Sequence, residues 1–397
     1  MLVSVSLFGY SNILFLWNIV MKNVLLAITG ASPQVVTETL YALHTEGKAF
    51  PQALYVITTL GAKNMLCEGL FEKGHLSALQ QEYDMPAIEF DESHIWLIEN
   101  DQGEPIDDAK TIEDQTFMAD FITRKVFELT QDDNIAIHAS IAGGRKTMAF
   151  YLGYAMSLLA RPQDSLSHVF VNDEYEFVKD FYYPTKQSNI ITGKYGKGQL
   201  DTVDAVVTLA EIPFVRMRES VDAQLINSMG KMSFSQTVST LNATHSKNLA
   251  INLNRNAKTL SITGIDIKLT AKELAFYHWL VQETQQNNGI KVDRYFDQNK
   301  QYASAFLIEF EILSQDPRVF KNSFGIEPED FTVGELSQLN AMENTFVQQN
   351  RSAINSKLKK ALPSELVNKI EIKSDTIENI SHYHVEAINQ QITISVD

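Results

Sequence analysis

Residues 21–34 read Met-Lys-Asn-Val-Leu-Leu-Ala-Ile-Thr-Gly-Ala-Ser-Pro-Gln, and the pattern they set is repeated along the first half of the chain. Residues 23–28 form a short apolar run that stops at Thr29 and Gly30, and apolar side chains then recur at helical spacing over residues 35–43. Such a run, followed by a turn and an amphipathic segment, predicts a strand, a loop and a helix. The stretch is typical of the opening of a nucleotide-binding α/β fold.

The same alternation of strand and helix continues along the first half of the chain. Further strands are predicted at residues 53–59, 87–98, 135–138 and 166–171, with helices between them. This order indicates a Rossmann-like domain, a largely parallel sheet with helices on both faces. We expect residues 177–183 to add an edge strand and residues 201–218 to form a helix that bridges to a second domain.

The loop after the first strand has the features of a phosphate site. Gly30 lets a ligand approach the backbone closely, and the helix that follows offers free amides and a partial positive charge to an anion. Ser32 would present its hydroxyl at the same point. A plain N-cap role for Ser32 is the alternative, and it is the commoner one for a serine at this position.

A second loop, residues 140–147, reads Ser-Ile-Ala-Gly-Gly-Arg-Lys-Thr. The helix macrodipole disfavours Arg145 and Lys146 at the start of a helix, and a bound anion would remove this conflict. A solvated basic pair is the alternative interpretation. The loop is not a Walker A motif, and the chain has no Gly-x-Gly-x-x-Gly dinucleotide fingerprint.

Composition excludes several classes of function. A net charge of −16 argues against a general nucleic-acid coat, so an anionic ligand would need a local positive pocket. The single cysteine, Cys67, excludes an internal disulfide and fits a reducing compartment, so we expect a cytoplasmic protein. His382 and His384 are the only histidines close to metal-ligand spacing, and we predict neither a metal nor a cofactor.

Residues 1–20 are apolar, uncharged and as long as a membrane span. They lack a basic segment and a small-residue cleavage site, and Met21 is a far better start for the domain. We therefore interpret these residues as an N-terminal extension and expect no membrane association. A true membrane anchor is the alternative.

At the two loops the chain resembles a known family, the CARF-domain proteins of type III CRISPR systems, and specifically their ring nucleases. The resemblance lies in Thr-Gly-Ala-Ser-Pro-Gln-Val-Val-Thr-Glu-Thr at residues 29–39 and Gly-Gly-Arg-Lys-Thr-Met at residues 143–148, and it covers about residues 21–218. It implies a homodimer whose two pockets face each other and hold one cyclic oligoadenylate, with cyclic tetra-adenylate as the first choice of ring.

The resemblance also implies cleavage of the ring without metal, in which a ribose 2′-hydroxyl attacks the adjacent phosphodiester. Ser32 would orient the ribose or the phosphate, and Lys146 would stabilise the developing charge. The other residues that we expect to bind the ligand are Thr29, Gly30, Ala31, Gln34, Gly61, Ile141, Ala142, Gly143, Gly144, Arg145 and Thr147.

The second half of the chain resembles the winged-helix domains of response regulators. Residues 249–275 resemble the opening of such a domain, residues 350–361 its recognition helix, and residues 370–396 a wing hairpin. The candidate contacts for DNA phosphates are Arg351, Lys357, Lys359 and Lys360. The alternative is a solvated helix face in a module that only dimerises.

We therefore predict an extension at residues 1–20, a CARF domain at residues 21–200, a connector at residues 201–234, and a winged helix-turn-helix-like α+β domain at residues 235–397. The leading functional hypothesis is an enzyme that degrades a second messenger and switches off antiviral signalling. A ligand-gated transcription regulator without turnover is the second. An activated ribonuclease is the weakest of the three hypotheses, because the second domain lacks a HEPN signature. Arg161 and His168 are spaced loosely like the active-site pair of HEPN ribonucleases. We interpret His168 as a structural residue.

Overall fold

The computed structural model describes residues 21–246, 249–385 and 392–396. The chain forms two compact units that divide between Arg218 and Glu219. Residues 201–218, which the sequence analysis gave to a connector, therefore belong to the first unit. The extension expected at residues 1–20 lies outside the described residues. Within the described part of the chain, no helix is both long enough and apolar enough to cross a membrane.

The first unit is an α/β fold. Its strands are β1 (Lys22–Ile28), β2 (Ala53–Thr58), β3 (Ile95–Leu97), β4 (Ile135–Ser140), β5 (Ser165–Val171), β6 (Ile190–Thr192), β7 (Gln199–Asp201) and β8 (Val207–Glu211). Its α-helices are α1 (Gln34–Thr45), α2 (Leu60–Cys67), α3 (His75–Tyr83), α4 (Ile112–Leu129) and α5 (Lys146–Leu159). β6 and β7 pair in a separate antiparallel hairpin.

The main sheet has six strands in the order β3-β2-β1-β4-β5-β8. The first five named strands pair in parallel, which confirms the predicted parallel sheet, and β8 runs antiparallel to β5. Residues 24–28 of β1 are completely buried, because a parallel sheet of this kind is covered by helices on both faces. The chain crosses from β3, on one side of β1, to β4 on the other. The loops after β1 and β4 therefore flank the topological switch point, where open α/β sheets bind ligands.

Two predictions about the sheet edge were wrong. Residues 177–183 form turns instead of an edge strand, and the antiparallel edge strand is β8, which lies inside the segment predicted as a helix at residues 201–218. In β8 the apolar side chains alternate, so that Leu209 packs with Ala42, Leu43 and Val169 in a small core cluster. A five-residue strand followed by irregular chain gives no reliable period, and the sequence pattern was mistaken for that of a helix.

Arg161 holds the connection between α5 and β5. It is 5% exposed, and its guanidinium donates to both carboxylate oxygens of Asp164 and to the backbone oxygens of Thr130, Asp132 and Ile135. Asp164, which is 1% exposed, also accepts from the Ile137 amide at 2.9 Å. Arg161 is therefore a structural residue that ties two loops to β4.

The second unit combines helices with two small sheets. Its helices are α6 (Ala223–Ser228), α7 (Phe234–His245), α8 (Ala271–Asn287), α9 (Lys300–Leu313), α10 (Pro317–Phe324), α11 (Asn344–Ala361) and α12 (Ser364–Ile370). Its strands are β9 (Leu249–Asn254), β10 (Thr259–Ile262), β11 (Ile265–Lys268), β12 (Ile290–Val292), β13 (Ile372–Ile377), β14 (Ile380–Val385) and β15 (Ile392–Val396). The sheet orders are β11-β10-β9-β15 and β12-β14-β13.

The core of the second unit is aromatic. Tyr277 and Trp279 are 0% and 1% exposed on α8. Phe320 and Phe324 of α10 join the same core. Thr270 and Glu273 form a capping box at the start of α8, in which Thr270 Oγ1 accepts from the Glu273 amide. Strands, then α8, α11 and the β13–β14 hairpin follow in the order of a winged helix, and the winged-helix assignment stays a prediction.

We expect Arg161→Met to lower the free energy of unfolding by about 3–5 kcal/mol, because it leaves the Asp164 carboxylate buried with one partner fewer. Arg124→Met is the matched control, since Arg124 is exposed on α4, and it should change stability by less than about 0.5 kcal/mol. Chemical denaturation of both variants checks this. Equal stability of the two would contradict the role given to Arg161.

Candidate ligand-binding site

The loops after β1 and β4 touch each other through their glycines. A Cβ atom on Gly30 would lie 3.3 Å from the Cα of Gly144, and a Cβ on Gly143 would lie 2.6 Å from the backbone oxygen of Ile28. The second distance is impossible for a real side chain. Glycine at position 143 is therefore required for the β4 loop to pack against the end of β1.

A cleft of about 850 Å³ opens at this contact. Ten of the predicted site residues line it: Thr29, Gly30, Ala31, Ser32, Gln34, Gly61, Ala142, Gly143, Gly144 and Arg145. Gly61 has a second role, because its amide donates to the backbone oxygen of Asp107 at 3.0 Å and a Cβ there would lie 2.8 Å from that oxygen. The structure thus brings most of the predicted residues together at the carboxyl ends of the strands.

Three predicted residues do not line the cleft. The Ile141 amide donates to Ser167 O at 3.0 Å, so Ile141 continues the pairing of β4 with β5. Lys146 and Thr147 are exposed in the first turn of α5. Lys146 therefore starts the helix next to the cleft, and it is not one of the residues that surround Ser32 there.

Ser32 does not act as the N-cap of α1. Pro33 occupies the capping position, and no side chain accepts a hydrogen bond from the first turn of the helix. Ser32 is half-buried in the wall of the cleft. The first turns of α1 and α5 contain no acidic residue. Val36 N and Met148 N already donate to Pro33 O and Arg145 O, so the helix dipoles and the amides that precede these two are what each first turn offers an anion.

The sequence predicted a positively charged pocket, but its cation Arg145 is already paired with an acid. Arg145 donates through Nε to Asp108 Oδ1 at 2.8 Å and through Nη2 to Oδ2 at 2.5 Å. This bidentate contact is the main cause that holds the pKa of the Asp108 carboxyl well below its usual range. The charged side chains of the cleft wall are Glu38, Asp107, Asp108, Arg145, Glu176 and Lys179, so acids outnumber bases.

Asp108 also gives the cation at the start of α5 a partner within the protein. A bound anion is therefore not needed to explain why Arg145 stands at the start of α5. Asp107 and Asp108 could not be assigned to the site beforehand, because they lie in an irregular loop far along the chain. Asp107 approaches Gly61, and Asp108 pairs with Arg145; both contacts join distant parts of the chain and are visible only in three dimensions.

Three polar atoms in the cleft wall are buried and have no hydrogen-bond partner in the described part of the chain. They are Thr29 Oγ1, Gln34 Oε1 and His168 Nδ1. An unsatisfied buried polar group costs about 1–3 kcal/mol, so a cluster of three at one cleft indicates a place for a polar ligand. His168, interpreted from the sequence as structural, thus belongs to the cleft wall.

Glu38 is the clearest residue that the sequence analysis missed. It lies in the second turn of α1, is 7% exposed and lines the cleft. Burial raises the pKa of its carboxyl to about 7. The sequence did carry a signal for Glu38. It comes four residues after Gln34 and therefore lies on the same helix face, next to the predicted phosphate-binding loop.

The four cations considered for DNA binding lie on or beside α11, and three of them have partners. Arg351 Nε donates to Ile372 O at 3.1 Å, Lys357 pairs with Glu273 at 2.5 Å, and Lys359 pairs with Glu371 at 3.4 Å. Lys360 is exposed near the end of the helix. Arg351 and Lys357 thus hold α11 against the hairpin and α8, and only part of the expected charge faces solvent.

Comparison with known proteins gives one family. The model of the family described as CRISPR-associated protein NE0113 matches residues 32–247. Among solved structures, Enterococcus italicus Csm6 bound to cyclic hexa-2′-fluoro-hexa-dAMP is 10% identical, covers 85% of this chain and 80% of that chain, and has a TM-score of 0.28. A TM-score this low does not establish a common fold. No curated protein matches the chain.

We expect Gly143→Ala to weaken ligand binding by at least about tenfold, because the added Cβ pushes the β4 loop away from β1 and opens the cleft. Gly153→Ala is the control: it lies within α5, where a Cβ meets no atom within 4 Å, and it should leave binding unchanged. Calorimetric titration with cyclic oligoadenylates measures both. Equal affinities would mean that the contact between the loops does not shape the site.

Proposed function

Because the chain belongs to the family of CRISPR-associated protein NE0113, as the resemblance of its two loops predicted, we propose that its first unit binds a cyclic oligoadenylate. The observation that carries this proposal is the cleft at the switch point of the sheet. It combines two helix N-termini with three buried polar atoms that no described residue satisfies, Thr29 Oγ1, Gln34 Oε1 and His168 Nδ1. These features suit a ligand with both phosphates and hydrogen-bonding bases.

The phosphates of the ring would bind at the first turns of α1 and α5. Because Asp108 already neutralises Arg145, the backbone amides would supply most of the attraction there. Ser32 is free of a capping role and would donate its hydroxyl to a ribose or phosphate oxygen. Apolar residues of the wall, among them Val35, Ala62 and Met148, would contact the faces of the bases.

We further propose that the bound ring is cleaved without metal. A ribose 2′-oxygen attacks the adjacent phosphorus, the bond to the 5′-oxygen breaks, and a linear product with a 2′,3′-cyclic phosphate results. Catalysis then depends on in-line alignment and on stabilising charge at the phosphate. Lys146, exposed at the start of α5, would act on the part of the ring that extends beyond the cleft.

A homodimer fits a cyclic ligand, because a two-fold axis presents equivalent groups to equivalent phosphates. Each subunit would then hold half of a cyclic tetra-adenylate, with one cleft on each side of the axis. The biological role that follows is the removal of the messenger, which ends the antiviral response. We place this activity in the cytoplasm, consistent with the single cysteine of the chain.

The test of the proposal is digestion of cyclic tri-, tetra- and hexa-adenylate by the purified protein in EDTA. We expect at least one ring, with cyclic tetra-adenylate as the first choice, to be cut to linear products that end in 2′,3′-cyclic phosphate. Mass spectrometry identifies these products. If no ring is cut, the enzyme assignment fails. Intact ligand together with a ligand-dependent DNA shift would favour the second candidate, a transcription regulator, which the order of elements in the second unit supports.

Lys146→Ala should slow cleavage by at least about 100-fold, the scale for removing one charge-stabilising donor. Lys48→Ala is a matched control, because Lys48 follows α1 at the opposite end of the sheet and pairs with Glu211 on the surface. Single-turnover rates of the two variants and of the unchanged protein decide the point. Cleavage by Lys146→Ala at the normal rate would remove Lys146 from the mechanism.

A further inference from the structure

Glu38 is a buried carboxyl that the proposed mechanism has not yet used. It is 93% shielded from solvent in α1 and faces the cleft that also contains Ser32 and Gln34. Glu38 comes four residues after Gln34 on the same face of α1, and both residues line the cleft. Gln34 belongs to the first turn of α1, at which a phosphate of the ligand would bind.

The Glu38 carboxyl has no structural role that the described residues reveal. Its neighbours on α1 are both occupied: Thr37 Oγ1 donates to Tyr182 O at 2.7 Å, and Thr39 Oγ1 donates to Val35 O at 2.6 Å. Glu38 itself makes no side-chain hydrogen bond or ion pair with any described residue. Buried carboxyls that serve the fold are almost always paired, since burial without a partner is costly.

We propose that Glu38 is the general base of ring cleavage, a proposal that rests on the function proposed above. The Glu38 carboxylate takes the proton of the ribose 2′-hydroxyl while the 2′-oxygen forms its bond to the adjacent phosphorus. The bond from phosphorus to the 5′-oxygen breaks, and that oxygen accepts a proton from a water molecule. The hydroxide that remains takes the proton from Glu38, which restores the carboxylate.

The acid–base properties of Glu38 fit this role. A pKa of about 7 gives a base that is half ionised at neutral pH and still strong enough to accept a proton. Burial is the cause of the raised pKa. The other titratable or charged side chains of the cleft wall are Asp107, Asp108, Arg145, His168, Tyr175, Glu176 and Lys179.

The decisive variant is Glu38→Gln, which keeps the shape and the hydrogen-bonding capacity of a neutral Glu38 but cannot accept the proton. We expect its single-turnover rate at pH 7.5 to fall by at least about 100-fold, with the dissociation constant for the uncut ring changed by less than about threefold. The rate of the unchanged protein should rise with pH through about 7 and then level off, because the base must be ionised. This rise should be absent in Glu38→Gln.

Two further variants make the result unambiguous. Glu46 lies at the other end of α1, and its side chain accepts from the Leu209 amide. The Glu46→Gln variant keeps an oxygen for this hydrogen bond and should cleave the ring at the normal rate. Glu38→Asp keeps the base but withdraws it by one methylene, so it should be slower than the unchanged protein and retain the rise with pH. Thermal unfolding verifies that each variant is folded. If Glu38→Gln does not fold, the slower cleavage by Glu38→Asp and its retained rise with pH test the proposal instead.

Two outcomes would overturn the inference. Cleavage by Glu38→Gln within about threefold of the normal rate would show that no proton passes to residue 38. Loss of ring binding in Glu38→Gln would instead assign the carboxyl to ground-state recognition of the base or ribose. A protein that cuts no ring before any substitution would refute the proposed function itself, which distinguishes the two failures.

Discussion

The contact between the loops after β1 and β4 is the constraint on which the site depends. Parallel strands bring the two loops side by side. Only a residue without a Cβ at position 143 allows the backbone to approach Ile28 O, and a Cβ at position 30 would crowd Gly144. This contact fixes where α1 and α5 begin, and therefore where their free amides point. The α/β sheet supplies the platform, and the glycines determine the shape of the cleft that opens on it.

The chemistry of the cleft differs from that of a simple basic phosphate site. Arg145 is paired with Asp108, while Thr29, Gln34 and His168 each present a buried polar atom that has no partner among the described residues. Binding energy in such a site comes from completing hydrogen bonds more than from adding opposite charges. Glu38 lines the same cleft, and because no described residue satisfies its carboxyl, that carboxyl is available to a ligand.

Sequence patterns were sufficient for features that are local in the chain. The apolar run of β1 carries its signal within a few residues, and the structure confirms the strand. The glycines of both loops can be recognised in the same way, and they line one cleft. Features that depend on distant partners could not be predicted in this way. Asp108 reaches Arg145 across 37 positions, and β8 is a strand only because β5 offers it an open edge.

The ion pair between Asp108 and Arg145 affects which ligands the cleft selects inside a cell. Proteins that attract nucleic acid by free lysines and arginines release counterions on binding, so they also accept the abundant cellular RNA and lose affinity as salt rises. A cleft whose main cation is already neutralised gives little reward to an arbitrary polyphosphate chain. Occupancy would then follow the concentration of the correctly shaped ring and vary little with ionic strength.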